Sequence, residues 1–359
     1  MKLLGYLLLS VLLLSCQNQE SKKEATLSSE PKGPKNVILL IGDGMGLSQM
    51  SSAQFYKEGT PNLERFPVVG LIKTSSSAQL ITDSAAGATA FACGAKSYNG
   101  AIGVASDSTA IENLPEMLVK QNMSSGVVAT STITHATPAS FYAHVVSRNM
   151  HEDIALDLVE SELNYFAGGG LKYFNQRSDE QDLLSELKNK GFVIDTTAIP
   201  SATTEKMGIF AASNALPKFI EGRGDFLTQA SLKGIECLSQ NENGYFLMIE
   251  GSQIDWGGHD NDADYLIGEM LDFDNTLGAV LDYAQKDGET LVIVTADHET
   301  GGFTLAANEG NYNSIAPSFS TGGHSATMIP VLAFGPGAEN FTGIYENTDI
   351  FHKIAAALK

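Results

Sequence analysis

A chain of 359 residues, 43% of them hydrophobic, can bury one large core, on the order of 75% of its unfolded surface. Its 42 acidic against 22 basic residues give a net charge of −20. That charge argues against nucleic acid or an anionic membrane surface as a partner, and obliges any anion site to carry strong local positive charge. Three cysteines make neither a disulfide framework nor a zinc-thiolate pattern.

The first residues, "MKLLGYLLLSVLLLSC", place a short apolar run behind a lysine, too short for a comfortable span and suited to a secretory signal. The ending Leu13-Leu14-Ser15-Cys16 resembles a bacterial lipoprotein signal, which implies lipidation of Cys16; an ordinary signal peptide with an incidental cysteine is the alternative. The stretch that follows is polar and charged, with Ser and Pro but no apolar period, and reads as a tether. The expected organisation is a signal peptide over 1–15, a tether over 16–35 and a single catalytic domain over 36–359. The mature protein is then exported, periplasmic or at the cell surface, and lipid-anchored to a bacterial membrane without a spanning helix.

Apolar, β-branched runs with the length of buried strands occur at 36–41, 68–72, 126–130, 245–249, 290–296 and 329–334. Helical spacing appears at 111–121, 151–163, 179–190, 225–240 and 262–286. Continuous apolar strands alternating with helices predict an α/β, three-layer sandwich with a central, mostly parallel sheet and helices on both faces. Ligands of such sheets gather beyond the carboxyl ends of the strands. The unusual polar residues fall there: Asp43 after "NVILLI", "THAT" after "GVVATSTI", Glu250 after "YFLMI", and Asp297-His298 after "TLVIVTA". Converging acids and imidazoles at one sheet edge point to a metal site.

"NVILLIGDGMG" looks like the entry to a phosphate-cradling loop, yet Asp43 stands in its turn, where it would repel phosphate. The glycine spacing is not the dinucleotide fingerprint, since Leu47 stands where the third glycine would fall. A metal-ligand role suits Asp43 better, with a turn-stabilising aspartate as the plain reading. In "EGSQIDWGGHD", Asp255 and His259 lie four apart, on one face of a helical turn. "ADHETGG" sets Asp297 beside His298 in an irregular loop, and "TGGHSATMIP" adds His324. His, Asp and Glu without Cys suit catalytic zinc with an open position. In "TDSAAGATA", Ser84 is a helix cap or a nucleophile activated by a metal, and Asp83 could cap equally well. Arg148 could hold two phosphate oxygens in its fork, although a surface ion pair is the ordinary role for such a residue. Capping or surface roles are expected for His144, His151 and His352, and Cys93 and Cys237 either pair or sit buried.

"DGMG", "TDSAAGATAFACGAKSYNGAIGV", "THATPASFYAHVVSR", "GYFLMIEGSQIDWGGH", "LVIVTADHETGGF" and "GGHSATMIPVLAFGPGA" occur in the order of one known family. The chain resembles the alkaline phosphatases from about residue 36 to its end, most weakly between about 165 and 225. The resemblance implies hydrolysis of phosphate monoesters of broad range, at neutral to alkaline pH, through a phosphoserine at Ser84. It implies two zinc ions and one magnesium ion. Asp255, His259 and His324 would hold one zinc; Asp43, Asp297 and His298 the other, completed by Ser84; and Asp43, Thr137 and Glu250 the magnesium. Arg148 would clamp the phosphate. His135 stands where some members carry an acid, and Trp256 where others show basic or aromatic residues, so both touch the site indirectly and bear on the third ion and the pH optimum. The short chain implies a reduced dimer crown and leaves a homodimer open. Sulfatases need Pro and Arg after a modifiable Cys or Ser, which "DSAAG" lacks, and diesterases commonly use Thr and lack the Arg clamp. A surface protein that binds phosphate or metal without turnover is the remaining rival.

Overall fold

Of the six runs that read as buried strands, all but the one at 68–72 are covered on both faces. The computed structural model describes residues 33–358, which form one compact unit. In chain order the strands are β1 (Asn36–Gly42), β2 (Val68–Lys73), β3 (Ser124–Thr132), β4 (Tyr165–Gly169), β5 (Val193–Asp195), β6 (Met207–Phe210) and β7 (Tyr245–Gly251). Then come β8 (Thr290–Thr295), β9 (Glu299–Thr300), β10 (Thr304–Asn308), β11 (Asn311–Ser318), β12 (His324–Ser325), β13 (Ile329–Phe334) and β14 (Gly343–Glu346). The central sheet has ten strands in the order β14-β2-β13-β8-β1-β7-β3-β4-β6-β5. Every residue of β1, β7 and β8 is buried, as a parallel sheet layered by helices requires. Only β2, near one edge, keeps the alternation of a half-exposed strand.

The helices are α1 (Leu47–Tyr56), α2 (Ser84–Cys93), α3 (Leu114–Val119), α4 (Ala136–Ala139), α5 (His151–Glu160) and α6 (Lys172–Asn175). They continue as α7 (Leu183–Asn189), α8 (Phe226–Leu238), α9 (Gln253–His259), α10 (Ala263–Asp287) and α11 (Asp349–Ala357). The longest, α10, starts where the Asp262 side chain accepts the Tyr265 amide and stops at Gly288, whose φ of 74° an L residue rarely adopts. It lies along β1, β7 and β8, while α8 lies along β3, β4 and β7. Helix α3 is shorter than its apolar spacing predicts. Asn113 and Glu116 form a capping box, with Pro115 just inside the helix, and these fix its start.

Strands β4, β5 and β6 escape the apolar-run criterion because they are short and glycine-bearing ("YFAGG", "VID", "MGIF"). The hairpin of β10 and β11 is half exposed and carries no continuous apolar run. Helices α1 and α11 were also outside the sequence expectation. The direction of β13 is the larger surprise. It runs antiparallel to both β2 and β8, whereas every other pairing in the ten-stranded sheet is parallel. The start of β13 therefore lies at the edge where β1, β3, β7 and β8 end. His324, in β12 just ahead of it, is delivered to the same place as Asp43, Glu250 and Asp297.

Among the described residues, no helix is long and apolar enough to cross a membrane. The lipidation expected at Cys16 lies outside the described residues. Cys93 and Cys237 are both free and buried, so the two thiols act as small apolar residues and do not pair.

Candidate active site

Asp43 leaves the end of β1 in a turn that only glycines permit. Gly44 has φ 72°, and a Cβ there would meet Asp255 Cα at 2.7 Å and Thr300 Oγ1 at 2.8 Å. That close approach joins the β1 turn to α9 and to the segment after β8. Asp297 Oδ1 accepts the Gly44 amide at 3.2 Å, while Asp43 Oδ2 and Asp297 Oδ2 are buried without a hydrogen-bond partner. His298 Nε2 lies 3.3 Å from Asp297 Oδ2 and 3.6 Å from Asp43 Oδ1. All three side chains are fully buried. Burial, and then the neighbouring Asp297, Asp255 and Glu250 carboxylates, raises Asp43 well above the usual carboxylate range. Burial likewise raises Asp297 and drives His298 well down. Buried acids with spare oxygens around a neutral imidazole are stable as anions only beside a cation.

Asp255 and His259 project from α9, and His324 meets them from β12. The ligand atoms of this group lie within 4.8 Å of one another, as do those of the Asp43, Asp297 and His298 group. His259 Nδ1 faces the Gly322 carbonyl at 2.8 Å, and His324 Nδ1 faces the Thr82 carbonyl at 2.8 Å. A carbonyl only accepts, so both Nδ1 atoms donate, and as metal ligands both rings turn Nε2 inward. Those two nitrogens face each other at 3.1 Å, beside Asp255 Oδ1 at 3.4 and 3.6 Å. Such a contact is repulsive unless a cation lies among the three atoms. The donor set fits a metal ion.

A third group joins Asp43, His135 and Glu250. Burial pushes Glu250 up to about 7, against the pull of the Ser252 hydroxyl, which donates to Oε2 at 2.6 Å. Glu250 Oε1 and Thr137 Oγ1 are both buried without a hydrogen-bond partner. The His135 ring is different in kind. Arg148 Nη2 donates to its Nε2 at 3.2 Å, and burial followed by the Arg148 charge lowers its pKa to about 3. The neutral ring therefore carries its proton on Nδ1, the atom left without a partner, and that nitrogen offers no lone pair to a cation. Trp256 touches this ring edge-on, with centroids 5.9 Å apart.

Ser84 is the first residue of α2, and Asp83 takes the cap, accepting the Ala86 amide at 3.0 Å. The serine hydroxyl is thereby left free for other partners. Its Oγ lies 3.2 Å from His298 Nε2 and 3.4 Å from Asp43 Oδ1. The small residues of "SAAGATA" explain the approach: a Cβ on Gly87 would stand 2.9 Å from Asp297 Cβ. Asp83 has a second task that sequence reasoning missed. Its Oδ2 accepts Arg148 Nη1 at 3.1 Å and the Gly100 amide at 2.9 Å, while the Gly100 carbonyl accepts the Arg148 amide at 2.7 Å. The guanidinium is thus held beside Ser84 by the residue that precedes it.

Among the remaining histidines, His144 bridges the Gly103 carbonyl and Glu116, and His151 begins α5 and stacks on Tyr173. His352 lies on α11. All three stand apart from the three ligand groups.

The sequence model of the alkaline phosphatase family matches residues 34–318. Alkaline phosphatase 3 of Bacillus subtilis (strain 168) is 32% identical, over 100% of this chain and 97% of its own length. The solved alkaline phosphatase of the Antarctic bacterium TAB5 superposes with TM-score 0.90 and 58% identity, covering 91% of this chain and 99% of that one. A variant of the TAB5 enzyme, 56% identical with TM-score 0.90 and covering 92% of this chain and 99% of that one, has magnesium bound in its M3 site.

Proposed function

Because the chain belongs to the alkaline phosphatase family and hydrolyses phosphate monoesters with a metal-binding site, we propose that Ser84 is its nucleophile and Arg148 its phosphate clamp. Asp255, His259 and His324 hold one zinc ion, and Asp43, Asp297 and His298 hold a second. The nitrogen and oxygen donors suit zinc. Asp43, Thr137 and Glu250 offer oxygen alone and suit magnesium; His135 stands beside this group and orients Arg148. When bound, the ions stabilise the serine alkoxide, the leaving oxygen and the phosphate charge.

The single observation that carries this reading is Ser84 Oγ, unclaimed by the helix cap, within 3.4 Å of both His298 Nε2 and Asp43 Oδ1. Arg148, fixed through Asp83, presents its fork to two oxygens of the phosphate. Ser84 Oγ attacks phosphorus and the P–O bond to the alcohol breaks; the serine loses a proton and the departing alcohol gains one. The amino end of α2 favours the phosphoserine that results. Water then attacks from the opposite face, restoring the Ser84 hydroxyl and releasing inorganic phosphate. Only the phosphate is gripped, so the alcohol varies freely.

Ser84→Ala tests this. It lowers turnover of an aryl phosphate by at least about 10³-fold, abolishes the phosphoenzyme seen on acid quenching, and leaves bound zinc unchanged. Substantial turnover in that variant removes Ser84 from its role. Export with a lipid on Cys16 belongs to the same proposal, supported by the signal-like N-terminus. Cys16→Ser then shifts activity from the membrane fraction to the soluble one.

A further inference from the structure

Four residues of "DHETGG" have no part in the scheme above, and one of them, Thr300, touches both zinc groups. It is fully buried. Its Oγ1 lies 2.5 Å from Asp255 Oδ1 and 3.2 Å from His298 Nδ1. Its backbone is held on both sides, the amide donating to the Gly44 carbonyl at 3.1 Å and the carbonyl accepting Gln49 Nε2 at 2.8 Å. Its side chain fills a slot between two glycines. A Cβ at Gly44 would approach Oγ1 to 2.8 Å, and one at Gly258 would approach the Thr300 Cβ to 3.0 Å.

The hydrogen-bond inventory of these groups fixes every proton. A carboxylate only accepts, so the hydroxyl proton points at Asp255 Oδ1. The hydroxyl oxygen then has only lone pairs for His298, so Nδ1 donates to it. The single proton of the neutral imidazole is used there, and Nε2 is left bare toward Ser84, Asp43 and Asp297. We infer that Thr300 is a positioning residue that sets the His298 tautomer and couples the two zinc groups through one ordered chain, His298 Nδ1–H to Thr300 Oγ1–H to Asp255 Oδ1. One hydroxyl thus serves a ligand of each zinc group, so its removal weakens zinc binding at both, and the effect resides in the hydroxyl and not in the methyl group. The inference rests on the zinc reading above.

The test is a stepwise zinc titration of the full chain, stripped by chelator, in wild type, Thr300→Val and Thr300→Ser. Valine keeps the shape of the slot and removes the hydroxyl; serine keeps the hydroxyl. In the valine variant both affinities fall about tenfold or more relative to wild type, the cost usual for a lost partner of a metal-ligating histidine. The serine variant titrates as wild type. A second measurement needs no variant: imidazole ¹⁵N spectra of the metal-free wild type place the His298 proton on Nδ1. Wild-type affinity at either group in the valine variant, an equal loss in the serine variant, or a proton on His298 Nε2 each overturn the inference while the zinc reading stands. A wild type that takes up no zinc overturns the reading and the inference together.

Discussion

The two nitrogen-bearing ligand groups use similar residues in opposite surroundings. Asp43, Asp297 and His298 are sealed, whereas the His259 side chain is 40% exposed and that of His324 15%. In the open group, backbone carbonyls at Gly322 and Thr82 orient the imidazoles. In the sealed group that work falls to a side-chain hydroxyl, and two carboxylate oxygens have no partner at all. Solvent reaches the ligands of the open group and not those of the sealed one, so a metal-stripped chain would bear most of its electrostatic cost at the sealed group. The sealed group lies against Ser84, and the open one faces solvent.

Breaking each group by one ligand is the strongest way to challenge this contrast. Asp43→Asn removes a carboxylate shared by the sealed and third groups, so zinc and magnesium contents both fall and turnover drops more than about 100-fold. His259→Asn costs one zinc and leaves magnesium in place. Equal metal losses in the two variants, read by elemental analysis, would erase the distinction. Chelator stripping sharpens it further. Zinc leaves the wild type in two phases, with the fast phase belonging to the exposed group and missing from His259→Asn.

The smallest effect is on the stability of the stripped protein. Burial raises Asp43, Asp297 and Glu250, the last from 4.5 to about 7. The folded state then binds more protons than the unfolded one, so stability falls as pH rises through that window. For Glu250 the loss between pH 4.5 and 7 is on the order of 1–3 kcal/mol. Thermal unfolding at a series of pH values shows this slope in the metal-free chain, and added zinc and magnesium remove it. A flat profile without metal would mean that the acids are relieved in some other way.

Much of the site was legible because strand ends announce themselves. An unbroken apolar run that ends in a carboxylate, imidazole or hydroxyl is unusual, and four such runs, β1, β3, β7 and β8, end in that way. The four-residue spacing of Asp255 and His259 survives as one face of α9. Asp83 and Ser84 were a different case, since both are good caps and the local pattern could not choose between them. Thr300 gave no signal at all, because a threonine before two glycines looks like a turn until Asp255 and His298 are seen around it. The span from 165 to 225 stayed obscure for a simpler reason: its strands are too short for a period to be counted.

The sequence by itself determined that an α/β chain would carry acids and imidazoles on the ends of buried strands, because apolar period and strand length depend on near neighbours. Only the tertiary structure decided that β13 runs backwards and brings His324 to the common edge. It alone decided that Asp83 caps α2 and holds Arg148, and which ring nitrogen of each histidine is bare. Those choices depend on partners such as Ser84 and His298, which lie 214 residues apart. Strand order and close glycine contacts decide which distant groups meet, and a proton settles on whichever atom then finds an acceptor.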